Sequence, residues 1–250
     1  MTTRWLFDLG NTRLKCAQLH DDGRIGDMLA LAHYGRVGEG DDGIAAALPA
    51  SLNGDVAYVA SVAASAATAA LLDALTQRFT RISIACTQRT FADVRIAYDN
   101  PAALGVDRFL ALLGARARHR QAALIVGIGT ALTIDLLDAD GRHRGGRIAP
   151  SPGLMRDALH QRAVQLPVSG GAYVEFASDT IDALASGCEG AALALIERSM
   201  AEVARSLGTP PSLLLHGGGA QALLPHLPHP ESTPALVLEG LAQWAAAEDR

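Results

Sequence analysis

Short apolar segments alternate with longer segments of helical periodicity along the first half of the chain. Apolar runs of strand length, bounded by polar or glycine-containing turns, predict β-strands at 4–8, 14–19, 56–62 and 81–85. Apolar residues three and four positions apart predict helices at 42–48, 66–79 and 106–119, with a loop at 37–43. This alternation of strands and helices is typical of an α/β fold.

The second half begins with a pair of strands and then becomes mainly helical. Its apolar runs predict strands at 122–127, 131–137, 212–216 and 235–238. Helical periodicity predicts helices at 154–160, 180–207 and 239–248. Ser178-Asp179-Thr180 is suitable for capping the long helix, and Gly187 is expected to interrupt it. We place the boundary between two lobes within 112–121, which gives lobes at 1–116 and 117–250.

The polar turn from Asp8 to Thr12, between two apolar strands, is the first candidate for chemistry. A carboxylate at a strand end, followed by glycine, asparagine and threonine, suits a hydrated Mg²⁺ ion and phosphate oxygens. The same residues are also ordinary hairpin-turn residues. The segment alone therefore leaves both interpretations open.

A second copy of this plan favours the phosphate interpretation. Residues 125–135 again combine a buried apolar strand, a Gly-Thr turn at Gly129-Thr130 and a strand that carries Thr133 and Asp135. Two such hairpins resemble the duplicated phosphate loops of the actin–hexokinase–sugar kinase (ASKHA) superfamily. The resemblance implies two RNase H-like lobes with a cleft between them. Gly217–Gly219 would be a third loop, beside the adenosine.

Asp107 and Arg108 form the most reactive pair, at the predicted start of a helix. A carboxylate can accept the proton of an alcohol during phosphoryl transfer, and a guanidinium can hold an anionic substrate. Aspartate and arginine are also common at helix starts, where they cap and form ion pairs. Both interpretations remain open from the residues alone.

Composition and charge narrow the class of protein. The chain has 250 residues, is 49% hydrophobic and carries a net charge of −5. This length and apolar content suit a soluble protein with a large buried core. The basic stretch 116–120 ends a predicted helix, which favours a solvated helix end over a nucleic-acid partner. No segment reaches membrane-spanning length, and no metal-binding cluster is predicted, since His226 and His229 lie in a proline-rich loop. The thiols at Cys16, Cys86 and Cys188 lack metal or redox spacing, so we expect reduced core or near-core cysteines and a cytoplasmic location.

In order along the chain, a set of short motifs resembles the type III pantothenate kinase family, including the Bvg accessory factors. The matching segments are Asp8–Lys15, Tyr98, Gly105–Arg108, Gly129–Asp135, Gly145-Gly146, Asp179-Thr180, Ser186-Gly187 and Gly217–Gly219. The resemblance implies an ATP- and Mg²⁺-dependent kinase that phosphorylates pantothenate in the first step of coenzyme A biosynthesis. It also implies a homodimer formed by the helices after Thr180 and a monovalent cation, K⁺ or NH₄⁺, beside the phosphates.

Site roles are carried over by this resemblance. Asp107 would be the general base, and Asp135 would support the second phosphate loop. The residues that would bind ATP are Asp8, Gly10, Asn11, Thr12, Arg13, Lys15 and Thr130. Those that would bind pantothenate are Tyr98, Gly105, Val106, Asp107, Arg108 and, from the partner subunit, Thr180.

The chain departs from the family pattern at two positions. Gly127 stands where the family usually has the aspartate that holds the monovalent cation, and Ser151 stands where it commonly has glycine. We expect Gly127→Asp to raise activity or the response to K⁺, and Ser151 to alter how its loop approaches the substrate. Losing one preorganised charge contact would weaken transition-state stabilisation by about 2–4 kcal/mol.

Three functions are therefore compatible with the sequence. The first is an active pantothenate kinase with weakened or altered cation dependence. The second is a regulator or nucleotide sensor that keeps the fold without turnover. The third is a kinase or phosphatase of the same superfamily that acts on another small alcohol.

Overall fold

The computed structural model describes residues 2–33, 44 and 47–249. The chain divides into two compact units: unit 1 consists of Met1–Arg118 and Ala235–Arg250, and unit 2 consists of His119–Pro234. The predicted loop at 37–43 and most of the predicted helix at 42–48 lie outside the described residues. None of the helices within the described ranges combines the length and apolarity that a membrane span requires.

Unit 1 contains a five-stranded mixed sheet with the strand order β3-β2-β1-β4-β5. The strands are β1 Arg4–Leu9, β2 Arg13–Leu19, β3 Leu29–Ala32, β4 Gly54–Ser61 and β5 Phe79–Ile84. The first three pair antiparallel, whereas β4 pairs parallel to both β1 and β5. The other elements are α1 Ser65–Thr76, the hairpin β6 Thr90–Phe91 and β7 Val94–Arg95, a 3₁₀ turn Pro101–Ala103, and α2 Val106–Arg118.

Unit 2 contains a second five-stranded sheet with the order β10-β9-β8-β11-β12. The strands are β8 Ala123–Ile128, β9 Ala131–Leu137, β10 His143–Pro150, β11 Ser212–His216 and β12 Pro230–Ser232. The helices are α3 Pro152–Arg162, α4 Thr180–Leu207 and α5 Ala220–Leu223, which is followed by a 3₁₀ turn Leu224–His226. Helix α4 runs through Gly187 without interruption, so the predicted break is wrong.

The two sheets share one topology. In each, three strands that are consecutive in sequence form an antiparallel meander, and two later strands extend the sheet parallel to its first strand. The predicted duplication is therefore confirmed at the level of the fold. Strand β8 is buried along its whole length, which explains why its sequence is a continuous apolar run.

The C-terminal helix α6, Leu236–Glu248, belongs to unit 1. Sequence analysis had placed residues 235–250 in the second lobe and a strand at 235–238. Instead, α6 packs against α2 so closely that a Cβ built on Gly240 would lie 1.8 Å from the carbonyl oxygen of Leu110. Gly114 and Gly240 allow the two helix backbones to come this close. Which residues of the other helix lie opposite them is decided by helix packing, and the periodicity of the sequence does not reveal it.

We expect Gly240→Ala to lower the free energy of unfolding of unit 1 by at least about 3 kcal/mol, because its new methyl group would collide with the Leu110 backbone. Chemical denaturation measures the loss. Gly153→Ala is the matched control, since a Cβ there would meet only the Ser151 hydroxyl, at 3.9 Å. Equal stability of the two variants would contradict this description of the α2–α6 contact.

Candidate active site

The turn between β1 and β2 is a closed hairpin with polar residues exposed at its tip. The Gly10 N–H donates to the Arg13 carbonyl oxygen over 3.0 Å, while Asn11 and Arg13 are exposed and Thr12 is half-buried. Asp8 is the cross-strand neighbour of Lys15. The turn thus presents backbone N–H groups, a hydroxyl, a carboxylate and two cations at one sheet end.

His33 braces this turn from the end of β3, and sequence analysis missed it. Its backbone N–H donates to the Thr12 carbonyl oxygen over 3.2 Å, and its Nε2 lies 2.8 Å from the Gly10 carbonyl oxygen. Because a carbonyl can only accept, Nε2 carries the hydrogen in this tautomer. A single histidine after a short apolar strand has no local signal for this contact.

Asp8 is the most perturbed group of the site. Its side chain is buried, with a relative exposure of 8%. Burial raises the pKa of Asp8 to about 6; Lys15 opposes the rise, and the negative charge of Asp107 adds to it. Asp8, Lys15 and Asp107 are therefore within electrostatic reach of one another, although Asp107 is distant in sequence. A buried carboxylate beside a second carboxylate is a favourable position for a cation.

Asp107 lies in the first turn of α2 and folds back over Gly105. Its Oδ1 accepts the Arg108 N–H over 2.8 Å, which satisfies one N–H group of the first helical turn. A Cβ built on Gly105 would lie 2.7 Å from the same Oδ1, so a larger residue at position 105 would require this carboxylate to shift. The side chain stays half-buried, so capping and chemistry at Asp107 are compatible.

Arg108 is buried and contacts Tyr98. Its Nη1 donates to the Tyr98 hydroxyl over 3.3 Å, and its Cζ lies 5.9 Å from the centre of that ring. Only 7% of Arg108 is exposed. A cation at a helix N-terminus is disfavoured by the helix dipole, so its position there suits an arriving anion. Val106 begins the helix and is half-buried. Unit 1 thus brings together Asp8 and the predicted pantothenate residues other than Thr180.

In unit 2, the turn at Gly129-Thr130 is exposed, and Ser151 is hydrogen-bonded to it. The Ser151 hydroxyl donates to the Thr130 carbonyl oxygen over 2.9 Å and accepts the Leu154 N–H over 3.2 Å. Ser151 is therefore the N-cap of α3 and a brace for the second loop at once. The serine at this position has a structural role that the sequence comparison with the family pattern did not indicate.

We expect loss of the cap to lower the free energy of unfolding by about 1 kcal/mol in Ser151→Ala and by only about a few tenths in Ser151→Gly. Loss of the hydrogen bond to Thr130 should add about 1 kcal/mol in both variants. The family resemblance implies that Thr130 binds ATP, and both variants lose the hydrogen bond to its carbonyl oxygen. We therefore expect both variants to raise the KM for ATP. Urea unfolding and steady-state kinetics separate the two effects. An unchanged KM in both variants would contradict the bracing role.

The glycine at position 127 is covered by its neighbours. A Cβ built there would lie 2.7 Å from Thr133 Oγ1 and 2.9 Å from both Cε1 and Nε2 of His216. The space where the family's aspartate would project is thus filled by a hydroxyl and an imidazole, and the residues present do not fit a carboxylate-held monovalent cation. The expectation that Gly127→Asp raises activity or the response to K⁺ therefore depends on whether these two side chains give way.

The third glycine loop is held against the end of β8, with Gly218 and Gly219 exposed. Gly217 has φ of +94°, and a Cβ there would lie 2.4 Å from the Ile128 carbonyl oxygen. The Gly219 N–H donates to that same oxygen over 3.0 Å. These glycines therefore pack the loop against the end of β8, just before the Gly129-Thr130 turn.

Two further positions differ in their surroundings from what the sequence suggested. His143 is buried although arginines flank it in the sequence, and its Nε2 lies 2.9 Å from Asp135 Oδ1. This contact ties β10 to β9 and suits the predicted supporting role of Asp135. Cys86 is exposed, whereas Cys16 and Cys188 are buried as predicted.

Thr180 is the first residue of α4 and is exposed. Asp179 caps the helix by accepting the N–H groups of Ile181 and Asp182, which confirms the predicted cap. Thr180 belongs to unit 2, whereas Tyr98 and Arg108 belong to unit 1. Its contribution to the pantothenate site stays a prediction.

Comparison with known proteins decides the family. The profile of the type III pantothenate kinases matches residues 5–202. The chain belongs to the type III pantothenate kinase family. It is 58% identical over 242 residues to a type III pantothenate kinase of Stenotrophomonas maltophilia (strain K279a), with 96% of each chain covered. It is also 58% identical over 245 residues, with 98% of each chain covered, to the one of Xanthomonas euvesicatoria pv. vesicatoria (strain 85-10).

Solved structures confirm the fold class. A Baf family protein from Campylobacter jejuni superposes with a TM-score of 0.65 at 18% identity, with 98% of both chains covered. A protein named as a 2-dehydro-3-deoxygalactonokinase from Sinorhizobium meliloti gives 0.53 at 16% identity, covering 98% of this chain and 99% of that one. An archaeal actin homolog gives 0.52 at 12% identity with both chains fully covered, 100% each. The chain therefore has the ASKHA fold that its paired hairpins predicted.

Proposed function

We propose that this chain transfers the γ-phosphoryl group of ATP to the primary hydroxyl of pantothenate, giving 4'-phosphopantothenate and ADP. The observation that carries the proposal is the grouping of Asp8, Lys15 and Asp107 in one unit, beside the buried Arg108, in a chain of this family. Phosphoryl transfer to an alcohol requires charge compensation at the phosphates, a proton acceptor and a means of orienting the alcohol. These residues offer all three.

Asp107 is proposed as the proton acceptor. As the pantothenate oxygen attacks the γ-phosphorus, its proton passes to the Asp107 carboxylate and the bond to the β-phosphate oxygen breaks, releasing ADP. The Arg108 N–H bond to Oδ1 fixes the orientation of this carboxylate. Gly105 leaves room for it, and Val106 positions the helix start that carries it.

Arg108 and Tyr98 are proposed to hold the pantothenate carboxylate. The contact between the guanidinium and the tyrosine hydroxyl limits the rotamers of both side chains before substrate arrives. An arginine can bind a carboxylate through two parallel hydrogen bonds. This pairing explains why a cation is placed at the N-terminus of α2, where the helix dipole alone would disfavour it.

The Asp8–Lys15 hairpin and Thr130 are proposed to bind the ATP phosphates. Gly10 closes the turn through its N–H, and Asn11, Thr12 and Arg13 lie at the hairpin tip. A hydrated Mg²⁺ ion fits Asp8, because Mg²⁺ is commonly held by one or two carboxylates together with water and substrate phosphates. Over the described ranges, no three His, Cys, Asp or Glu side chains group closely enough to hold a metal by themselves. When bound, the ion would neutralise charge on the phosphates.

We further propose a homodimer formed through the apolar surface of unit 2. Several large apolar side chains in and before α4 are exposed, and Phe176 is 98% exposed. The others are Leu154, Leu159, Val164, Val168, Val174 and Ile181. Clusters of exposed apolar side chains mark interaction surfaces. Thr180 lies among them and would reach the partner's pantothenate site. A cytoplasmic location remains a prediction from the cysteine pattern.

A coupled assay of ADP release tests the function. With ATP, Mg²⁺ and pantothenate, we expect turnover, and we expect none with pantothenate analogues that lack the primary hydroxyl. ADP release with a different alcohol only would instead indicate another kinase of the same fold. Nucleotide binding without turnover on any alcohol would favour a regulator. That alternative drew on Gly127 and Ser151, and in this fold both residues have packing roles.

A further inference from the structure

The imidazole of His216 lies against the backbone of Gly127. The two residues are paired in the parallel ladder between β11 and β8, and Thr133 is the partner of Gly127 on β9. Paired residues on adjacent strands project from the same face of a sheet. Positions 127, 133 and 216 therefore lie side by side, as one patch, on one face of the unit 2 sheet. Thr133 and His216 carry side chains there, whereas Gly127 does not.

The two side chains fill the place of the third. A Cβ on Gly127 would lie 2.9 Å from His216 Nε2 and 2.7 Å from Thr133 Oγ1. Glycine inside a strand weakens the strand and marks a place where a neighbouring group comes close. Gly127 thus accommodates the imidazole, and His216 and Gly127 form a complementary pair.

This patch lies immediately before the second phosphate loop. The Gly129-Thr130 turn follows Gly127 after one residue, and His216 immediately precedes the loop whose Gly219 N–H binds the Ile128 carbonyl oxygen. The His216 side chain packs over the end of β8, beside the strand ends from which both loops leave. His216 is therefore well placed to position the loop that is proposed to bind the ATP phosphates.

An imidazole at this place has consequences for cations. Hard cations are held by carboxylate, carbonyl and water oxygens, whereas imidazole suits zinc and other transition metals. The family's aspartate is absent, and its volume is occupied by a ring that brings no anionic oxygen to this place.

We propose that His216 occupies the place of the cation-binding carboxylate, so that this chain turns over without a monovalent cation. His216 acts as a positioning residue for the second phosphate loop. This inference rests on the proposed kinase function, and the experiment below distinguishes the failure of one from the failure of the other.

The first test compares the unmodified protein in potassium chloride and in choline chloride at equal ionic strength. We expect kcat and the KM for ATP to agree within about twofold, whereas a missing preorganised charge partner commonly changes rates by about a hundredfold. A tenfold or larger requirement for K⁺ would overturn the inference and leave the kinase function intact. No turnover in either salt would contradict the kinase function instead.

The Tm of the ATP complex tests the inference independently of turnover. A ligand that binds the folded protein raises its Tm by mass action. We expect the Tm of the ATP complex to be equal in potassium and choline salts. A rise that is specific to K⁺ would show a monovalent cation site and overturn the inference.

Variants then test the place assigned to His216. Gly127→Asp should lose at least about tenfold in kcat/KM, because its side chain collides with the imidazole. His216→Ala with Gly127→Asp should recover activity and become dependent on K⁺, because removal of the ring opens the space for a carboxylate and its cation. His229→Ala, at an exposed histidine of the same unit, is the matched control and should behave as the unmodified protein.

The double variant decides the positioning role. Activity that is equal in both salts would overturn the assignment of His216 to the cation's place. If the double variant lacks activity, a K⁺-specific rise in the Tm of its ATP complex supports the inference, and the absence of that rise contradicts it.

Discussion

Replacing Asp107 with asparagine should lower kcat by about 10²–10⁴-fold, the range expected when a general base is removed. The asparagine oxygen can still accept the Arg108 N–H and fits the same space over Gly105, so α2 should begin as before. The change therefore removes the proton acceptor and keeps the shape. Steady-state ADP release at saturating ATP and pantothenate measures the effect.

The control for this variant is Asp73→Asn, which changes an exposed aspartate on α1 of the same unit. We expect Asp73→Asn to leave kcat unchanged, and the Asp107 variant to retain ATP binding and its thermal unfolding temperature. If Asp107→Asn keeps a tenth or more of the original kcat, another group accepts the proton. If it fails to bind ATP, the carboxylate has a binding role and the proposed chemistry at Asp107 is wrong.

Asp8→Asn should abolish turnover and, in the absence of ligand, stabilise the protein at neutral pH. Burial raises the pKa of Asp8 from 3.8 to about 6, so the folded state disfavours its ionised form. The folded protein binds the proton more tightly than the unfolded chain does. The contribution of Asp8 to stability is therefore fully present below pH 3.8 and is lost as pH rises to about 6.

Above pH 6, the ionised Asp8 should cost about 3 kcal/mol of unfolding free energy, at 1.36 kcal/mol for each pKa unit. Asparagine avoids this penalty, although Lys15 then loses a neighbouring charge. We expect Asp8→Asn to be more stable than the unmodified protein by about 1–3 kcal/mol at pH 7.5 and equal to it near pH 4.

Urea unfolding at the two pH values measures this difference. If the unmodified protein is more stable than Asp8→Asn at pH 7.5, the ionised Asp8 carboxylate is not destabilised by burial and this description of the site is wrong. The same measurements with Mg²⁺ and ATP should reverse the order, because only the carboxylate gains a ligand. A functional group that destabilises the empty site and is satisfied by its ligand is a common arrangement at active sites.

Local patterns predicted most of the fold, for physical reasons. The strand–turn–strand signal at Asp8–Lys15 depends on residues adjacent in sequence, and the structure forms that hairpin in register. The same holds for the cap at Asp179, where a side chain bonds backbone groups two and three residues ahead. Elements decided by packing were predicted less well: the segment 235–238 reads as an apolar strand, yet α6 begins at Leu236.

The candidate site divides in the same way. The pairing of Asp107 with Arg108 is local, and the motif order identifies the family. The proximity of Asp107 to Asp8, in contrast, follows from how α2 is placed against the sheet of unit 1. His33 reaches the Gly10 carbonyl oxygen from another strand. Neither contact has a signal in sequence spacing, because each depends on the folded path of the intervening chain.

By itself, the sequence determined that this protein has two hairpins of one plan, an Asp-Arg pair at a helix start and the motifs of type III pantothenate kinases. These properties arise from neighbouring residues, whose turn, capping and periodicity preferences act over short distances. Only the tertiary structure decided that His216 and Thr133 occupy the space at Gly127, and that Ser151 braces Thr130. Such contacts depend on strand register and close packing, so the meaning of a missing aspartate is decided by the side chains that fill its place.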